Sequence, residues 1–223
     1  MALKLSKIQL EDFDNMINHA RIYPVGDDLV GPPTPICWPV NSQIEAEKRL
    51  QFHMSKQRGR FLGDHSASYL KVVNEDTEEI VSMARWHYYP NGYSYEEGIG
   101  WEIHSPVEGL PFPPEMNVAL HNFILSARDA ERKKWMAKGK PCWILMHLVT
   151  RTSQRGRGAA SMLIDWGVEK AREDNIPAYL EASVLGRPVY EKHGFQQIGE
   201  LMVLDLREYS VDMDMVMAKM GVV

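Results

Sequence analysis

The stretch RTSQRGRGAASMLIDWG, residues 151–167, decides the fold. Before it stands the apolar run CWILMHLVT (142–150), bounded by Pro141 and by the polar turn, which reads as a buried strand. After it an amphipathic pattern predicts a helix over about 159–174. A strand that passes through a small-residue turn into a helix leaves the first backbone N–H groups of that helix unpaired. The helix dipole adds partial positive charge at the same place. Gly158 and Ala160 allow a ligand close to the backbone, and Arg151, Arg155 and Arg157 supply fixed positive charge. The turn is therefore predicted to hold an anion, most naturally a phosphate or diphosphate. The plainer reading is a helix start with a solvated basic rim.

Working outward, KLSKIQLEDF (4–13) reads as a strand and DFDNMINHARI (12–22) as a short helix. PVGDDLVGPPTPICWPVN (24–41) contains five prolines and is predicted to be a loop. Ser42 with Glu45 forms a capping box that opens a helix running to about residue 58. Two β-rich runs, 69–73 and 80–88, flank the acidic turn NEDTEE and predict a hairpin. Met116, Leu120, Phe123, Ala127 and Ala130 recur at spacings of three and four, which predicts a helix over about 115–138. Further on, AYLEAS (178–183) reads as a strand and PVYEKHG (188–194) as a short helix. QQIGELMVLDL (196–206) and DMDMVMAKM (212–220) read as closing strands. The alternation of strands and helices predicts a single α/β or α+β domain.

The chain has 223 residues, 44% of them apolar and 25% charged, as expected of a globular protein with a full core. A formal net charge of −5 argues against a general nucleic-acid binder. No apolar run reaches the roughly 20 residues of a membrane helix. Cys37 and Cys142 have neither zinc-site spacing nor disulfide density. The N-terminus lacks a signal-peptide apolar block, so the expected compartment is the cytoplasm. His53, His87 and His121 have no partner at metal-ligand spacing, and no metal is expected.

Among phosphate motifs, a Walker A loop needs Gly-Lys-Ser/Thr, which GRGAAS does not provide. A dinucleotide fingerprint fits Gly156-x-Gly158 and an acid, Glu181, at the end of the next strand. It fails at the third glycine, which is Ser161, and too little chain follows to complete such a sheet.

The motif RGRGAA (155–160) fits Q/R-x-x-G-x-G/A and resembles the acetyl-CoA pyrophosphate loop of the GNAT superfamily of N-acetyltransferases. YEKHGF (190–195) resembles the Tyr-x-x-x-Gly-Phe segment of that family, and LEAS (180–183) its fifth strand. The resemblance covers about 144–206 and is greatest to GNAT-related proteins common in fungi. It implies a GNAT fold with a central mixed, mostly antiparallel twisted sheet of six to seven strands flanked by helices. One domain, 1–223, would comprise an acceptor-side part (about 1–140) and an acetyl-CoA-binding core (about 141–206).

The activity implied is transfer of the acetyl group of acetyl-CoA to a primary amine, favouring a small molecule, by direct attack in a ternary complex. Alternatives on the same fold are a non-catalytic acyl-CoA sensor and a protein or peptide N-acetyltransferase. Carried over by resemblance, Arg155, Gly156, Arg157, Gly158, Ala159 and Ala160 cradle the pyrophosphate, and Leu148, Val149 and Thr150 contact the pantetheine arm. Tyr190 protonates the departing thiolate, a role that suits a phenol still protonated at neutral pH. Ser183 stands near the strand end where the family often has asparagine. Glu181 is the candidate base, since desolvation between apolar neighbours would raise its pKa. Its plain alternative is a solvent-facing strand-end carboxylate. His147, mid-strand near the expected thioester, reads first as a core histidine, and Glu102 and His104 are further acceptor-side candidates. Trp38, Tyr23 and Trp86 are candidates to line an acceptor slot, and Asp27, Asp28, Asp212 and Asp214 to attract a cationic amine. Neither nucleic acid nor membrane is an expected partner, and the chain would be a monomer or homodimer.

Overall fold

A computed structural model of the chain describes residues 2–17, 22–31, 35–93, 111–136 and 139–209. Strands β1 (Leu3–Lys7), β2 (Ala67–Asn74), β3 (Glu79–Tyr89), β4 (Cys142–Thr150) and β5 (Ala178–Leu180) form one sheet in that spatial order. Successive strands are antiparallel except β4 and β5, which are parallel. Helices α1 (Gln43–Gly63), α2 (Val118–Trp135), α3 (Ala159–Glu173) and α4 (Arg187–Glu191) surround it. This is the mixed α/β architecture expected, with five strands among the described residues rather than six to seven. No helix of the described residues is long and apolar enough to cross a membrane.

The alternating side chains of the sheet feed separate core clusters. Ala84, Trp86 and Leu145 pack with Leu163 and Ile164 of α3. On another face Met83 packs with Phe13, Leu50 of α1 and Tyr69. Trp86 is fully buried and its indole Nε1 donates to the Leu163 carbonyl at 3.0 Å. Its ring lies directly over Gly167, where a Cβ atom would stand 2.1 Å from Cε2. Glycine at the centre of a helix costs about 1 kcal/mol relative to alanine, and here the missing Cβ makes room for an indole. Trp86 therefore belongs to the α3 core and not to an acceptor slot.

Two predicted elements differ for visible reasons. Helix α1 runs five residues past the predicted end at 58, to Gly63. Its second half is polar in sequence, yet Gln57 and Arg60 are buried. The Gln57 Oε1 accepts from Tyr69 Oη at 3.2 Å and from Arg85 Nη1 at 2.9 Å, so the sheet satisfies a face that reads as solvated. The predicted strand at 196–206 is irregular instead. Leu204, Leu206 and Tyr209 pack against the cluster around α2, where Tyr209 stacks on Phe123 and its carbonyl accepts from Asn117 Nδ2 at 3.2 Å. The other closing strand, 212–220, lies outside the described residues.

Candidate active site

Strand β4 organises the site. Its first half is laddered on both sides, with Trp143, Ile144 and Leu145 opposite Ala178, Tyr179 and Leu180 of β5. Two changes follow at one point. The β3 register slips so that Leu145 faces Trp86 and His147 faces Arg85, which leaves Met146 as a bulge. Strand β5 ends at Leu180 while β4 continues to Thr150, so among the described residues the β5-side edge of 146–150 carries no strand. Leu148, Val149 and Thr150 line this edge, all half-buried. The β3 side stays fixed: Ser82 Oγ donates to the Val149 carbonyl at 2.8 Å and shares a hydrogen bond with Thr150 Oγ1.

The turn after β4 is built on left-handed glycines. Gly156 has φ +76° and Gly158, the N-cap of α3, has φ +87°. A Cβ at either would meet nothing within 4 Å, so torsion, not crowding, calls for glycine, and the space over the turn is open. The α3 N-terminus at Ala159 and Ala160 thus points unpaired N–H groups into that space. Arg155 and Arg157 are exposed beside it.

Arg151 behaves otherwise. It is 3% exposed and points inward, donating to the carbonyls of Ile80 (2.8 Å), Asp27 (3.2 Å), Asn15 (3.1 Å) and Met16 (3.2 Å), with Glu79 Oε1 at 3.2 Å. Thr152 N donates to Asp27 Oδ1 at 3.1 Å. This corrects the expectation that Arg151 adds charge for an anion: it is the floor of the turn, tied to the backbone at Asn15, Met16 and Asp27. Asp27 and Asp28 are likewise structural. Asp28 Oδ1 accepts from Val30 N and Gly31 N, and burial raises its pKa against those hydrogen bonds and the charges of Arg49 and Arg151.

Tyr190 sits on α4 and packs into the α3 core cluster that includes Leu145, Leu148, Leu163 and Leu180. Phe195 meets its ring edge-on, with 6.3 Å between centroids. Burial raises the phenol pKa, which keeps the proton on oxygen. Ser183 turns its Oγ to Gly186 N at 3.0 Å, and its carbonyl accepts from Gly186 N and Arg187 N. That serine holds the turn into α4.

Glu181 requires a correction. Arg132 and Arg128 of α2 grip both its oxygens: Arg132 through Nε and through Nη2 at 3.0 Å, Arg128 through Nε at 2.6 Å. Desolvation alone would raise its pKa as expected from sequence. The two guanidinium groups outweigh it and hold the carboxyl below the usual carboxylate value. A carboxylate so stabilised is a poor proton acceptor. Arg128 and Arg132 stand four residues apart on the predicted helix, so their shared face was readable. Their partner 49 or more residues downstream was not.

On the α1 side of β4, a narrow cleft is lined by His53 and Lys56 of α1, Arg85 of β3, His121 and Arg128 of α2, and His147 of β4. His53 is buried, and burial with the charges of Lys56, Arg49, His121 and His147 pushes its pKa down to about 3. His147 is only half-buried, not a core residue, and its Nε2 lies 3.2 Å from the Leu29 carbonyl oxygen. Trp38 is buried against Phe52, and Tyr23 is 37% exposed, so neither lines this cleft. Glu102, His104, Asp212 and Asp214 lie outside the described residues. A larger hollow of about 490 Å³ opens between the C-terminal half of α3 and Phe195. It is roughly 20 Å along the helix from the glycine turn, too far to share its chemistry.

A left-handed glycine caps the helix that follows strand β4, and Tyr190 is half-buried in the core cluster that this helix shares with the sheet. Residues 123–195 match the model of the Acetyltransferase (GNAT) family. The chain is 26% identical over 104 residues to the "Probable acyltransferase SID5" of Ajellomyces capsulatus, which covers 47% of this chain and 68% of that protein. Among solved structures it is similar to a transcriptional regulator from Bacillus halodurans C-125, with TM-score 0.50, 15% identity, and 92% and 99% of the two chains covered. A predicted acetyltransferase with acetyl-CoA from Clostridium acetobutylicum aligns with TM-score 0.48 and 19% identity over 93% and 98% of the chains.

Proposed function

We propose that the chain is an acetyl-CoA-dependent N-acetyltransferase that acylates a primary amine, favouring a small molecule, in a ternary complex. The observation that carries this reading is the pair of left-handed glycines opening α3 beside the unladdered edge of β4. Backbone N–H groups of 155–160 would bind the diphosphate, and the free edge of 148–150 would hydrogen-bond the amide-bearing arm of the donor. A bulge N–H beside Met146 is a donor for the thioester carbonyl oxygen as charge develops there. Tyr190 Oη would hand its proton to the departing sulfur. The small acceptor is supported by the narrowness of the histidine-lined cleft.

The test is thermal unfolding with acetyl-CoA, CoA, NAD(P) and ATP added separately, followed by acetyl-CoA consumption across an amine panel. A ligand at about 100 times its dissociation constant stabilises the fold by about 2.7 kcal/mol. Stabilisation by the two CoA species alone, with turnover on an amine, supports the reading; stabilisation by NAD(P) alone ends it. The gripped Glu181 favours a second reading, an acyl-CoA sensor without transfer. That reading predicts tight CoA binding and no turnover on any amine.

A further inference from the structure

We propose that Arg128 determines acceptor specificity by holding a carboxylate carried by the amine substrate. The inference rests on the N-acetyltransferase reading above and names the class of its acceptor, an amino acid or another amine that bears a carboxylate. Position comes first. Arg128 stands seven residues, or two turns, after His121 on α2, so the two share a face, and both line the cleft. Met146 and His147 of β4 line it as well. Glu181, which grips Arg128, follows directly on Leu180, the last residue of β5 that pairs with β4. The arginine is therefore tethered where the two strands part, close to the place the thioester takes in the proposed reaction.

The second argument is the way the guanidinium is held. Arginine offers five N–H donors in a rigid planar fork. Glu181 Oε2 takes one edge of it, with Nε at 2.6 Å and Nη2 at 2.5 Å. Among the described residues the hydrogen bonds and ion pairs of Arg128 run through those two nitrogens, which leaves Nη1 and the edge it shares with Nη2 for a ligand. Arg132, 3% exposed, already reaches both oxygens of Glu181. A second arginine is not needed to satisfy that carboxylate. Glu181 does not line the cleft; it stands behind Arg128 and fixes the rotation of a cation that does.

Charge and size then choose the group. Lys56, Arg60 and Arg85 join Arg128 in the lining, and no carboxylate of the described residues does. Burial first, then the charges of Lys56 and Arg49, push the pKa of the neighbouring His53 down to about 3, so the surroundings resist added positive charge. The same field attracts a carboxylate and disfavours the ammonium form of the amine, leaving more of the free base that attacks the acyl carbon. The cleft has a volume of about 40 Å³. At about 10–15 Å³ for each water-sized group, that is room for about three, the number of heavy atoms in a carboxylate and fewer than in a phosphate.

The experiment has two arms. In the first, acetyl-CoA consumption is followed with α-amino acids and with straight-chain ω-amino acids, each beside its primary amide, and with 2-aminoethylphosphonate. The best carboxylate is expected to exceed its amide by about 10–100-fold in kcat/KM, and Arg128→Gln should bring that ratio close to one, mainly through KM. Arg128→Lys, which keeps the charge and loses the fork, should restore part of it. A ratio near one in the parent, a ratio unchanged in Arg128→Gln, or a phosphonate preferred to every carboxylate overturns the inference. In the second arm, nitrogen-15 spectra of arginine-labelled protein with CoA present identify the Nε–H signal of Arg128 by its loss in Arg128→Gln. That signal should move on titration with the amino acids and stay in place with their amides; no movement, or equal movement with both, overturns the inference. Parent protein that neither binds CoA nor consumes acetyl-CoA overturns the N-acetyltransferase reading instead. Where it binds CoA and acetylates no amine, the Arg128 signal decides.

Discussion

Replacing Gly167 by alanine puts a methyl group where the structure has an indole. The added Cβ would lie 2.1, 2.2 and 2.5 Å from three ring carbons of Trp86. Ordinary carbon contacts begin at about 3.5 Å, so helix and ring must part by about 1.4 Å. Neither moves easily. Trp86 is fully buried and tied to the Leu163 carbonyl, and α3 packs along its length on the sheet through Leu163, Ile164 and Ala171. Overpacking of this kind costs about 1–3 kcal/mol, occasionally more. The opposing gain from alanine in a helix interior is about 1 kcal/mol. Because the shortfall involves three rigid ring atoms, the upper part of the range applies, and a net loss of about 1–3 kcal/mol is expected. Urea titration followed by tryptophan fluorescence should show a lower midpoint with an unchanged slope. Trp86→Phe removes the crowded atoms, so the double variant should be more stable than the sum of the single losses predicts, by about 0.5–3 kcal/mol. A Gly167→Ala protein as stable as the parent, or strict additivity in the cycle, would refute the packing argument.

The arginines of the turn should separate by assay. Arg151→Met strips donors from the carbonyls of Asn15, Met16, Asp27 and Ile80 and should cost about 2–4 kcal/mol in chemical denaturation. Arg155→Ala and Arg157→Ala, at exposed positions, should shift stability by no more than about 0.5 kcal/mol while weakening CoA binding in titration calorimetry. Glu181→Gln should lower the melting temperature at pH 7. Its folded pKa is depressed, so the carboxylate contributes stability above the unfolded value near 4.5 that is lost as pH falls through the folded one. The gap between variant and parent should therefore close in acid, and a gap that persists at low pH would mean the arginine pairing is not its source. Tyr190→Phe should slow transfer by about 10²–10⁴-fold without loosening CoA, measured as kcat beside the dissociation constant.

Much of the frame was legible because the signals were local. Strand β4 was readable residue for residue, since its apolar run is bracketed by Pro141 and the polar turn. Helix α3 and the hairpin of β2 and β3 announced themselves by period and turn chemistry. What escaped was decided across the chain. Arg151 looks like its exposed neighbours Arg155 and Arg157, and only carbonyls up to 136 positions upstream turn it inward. AYLEAS is strand-like to its end, but Glu181 is drawn to the α2 arginines and the ladder stops at Leu180. QQIGELMVLDL has strand composition, yet it lies on α2 through Leu204 and Leu206 instead of pairing. His147 offered no sign in sequence of the Leu29 carbonyl that stands beside its ring.

The inward-facing guanidinium of Arg151 also bears on how the protein is made. Its acceptors at residues 15, 16 and 27 leave the ribosome more than a hundred positions earlier, and their carbonyls stay hydrated until the arginine emerges. Closing a loop of that size costs entropy that grows only slowly with length, so the delay is one of synthesis time more than of energy. Residues 15, 16 and 27 and the turn after β4 are then tied together in the same event. A nascent chain halted before residue 151 should leave its first thirty residues open to proteases, and extension past that point should protect them.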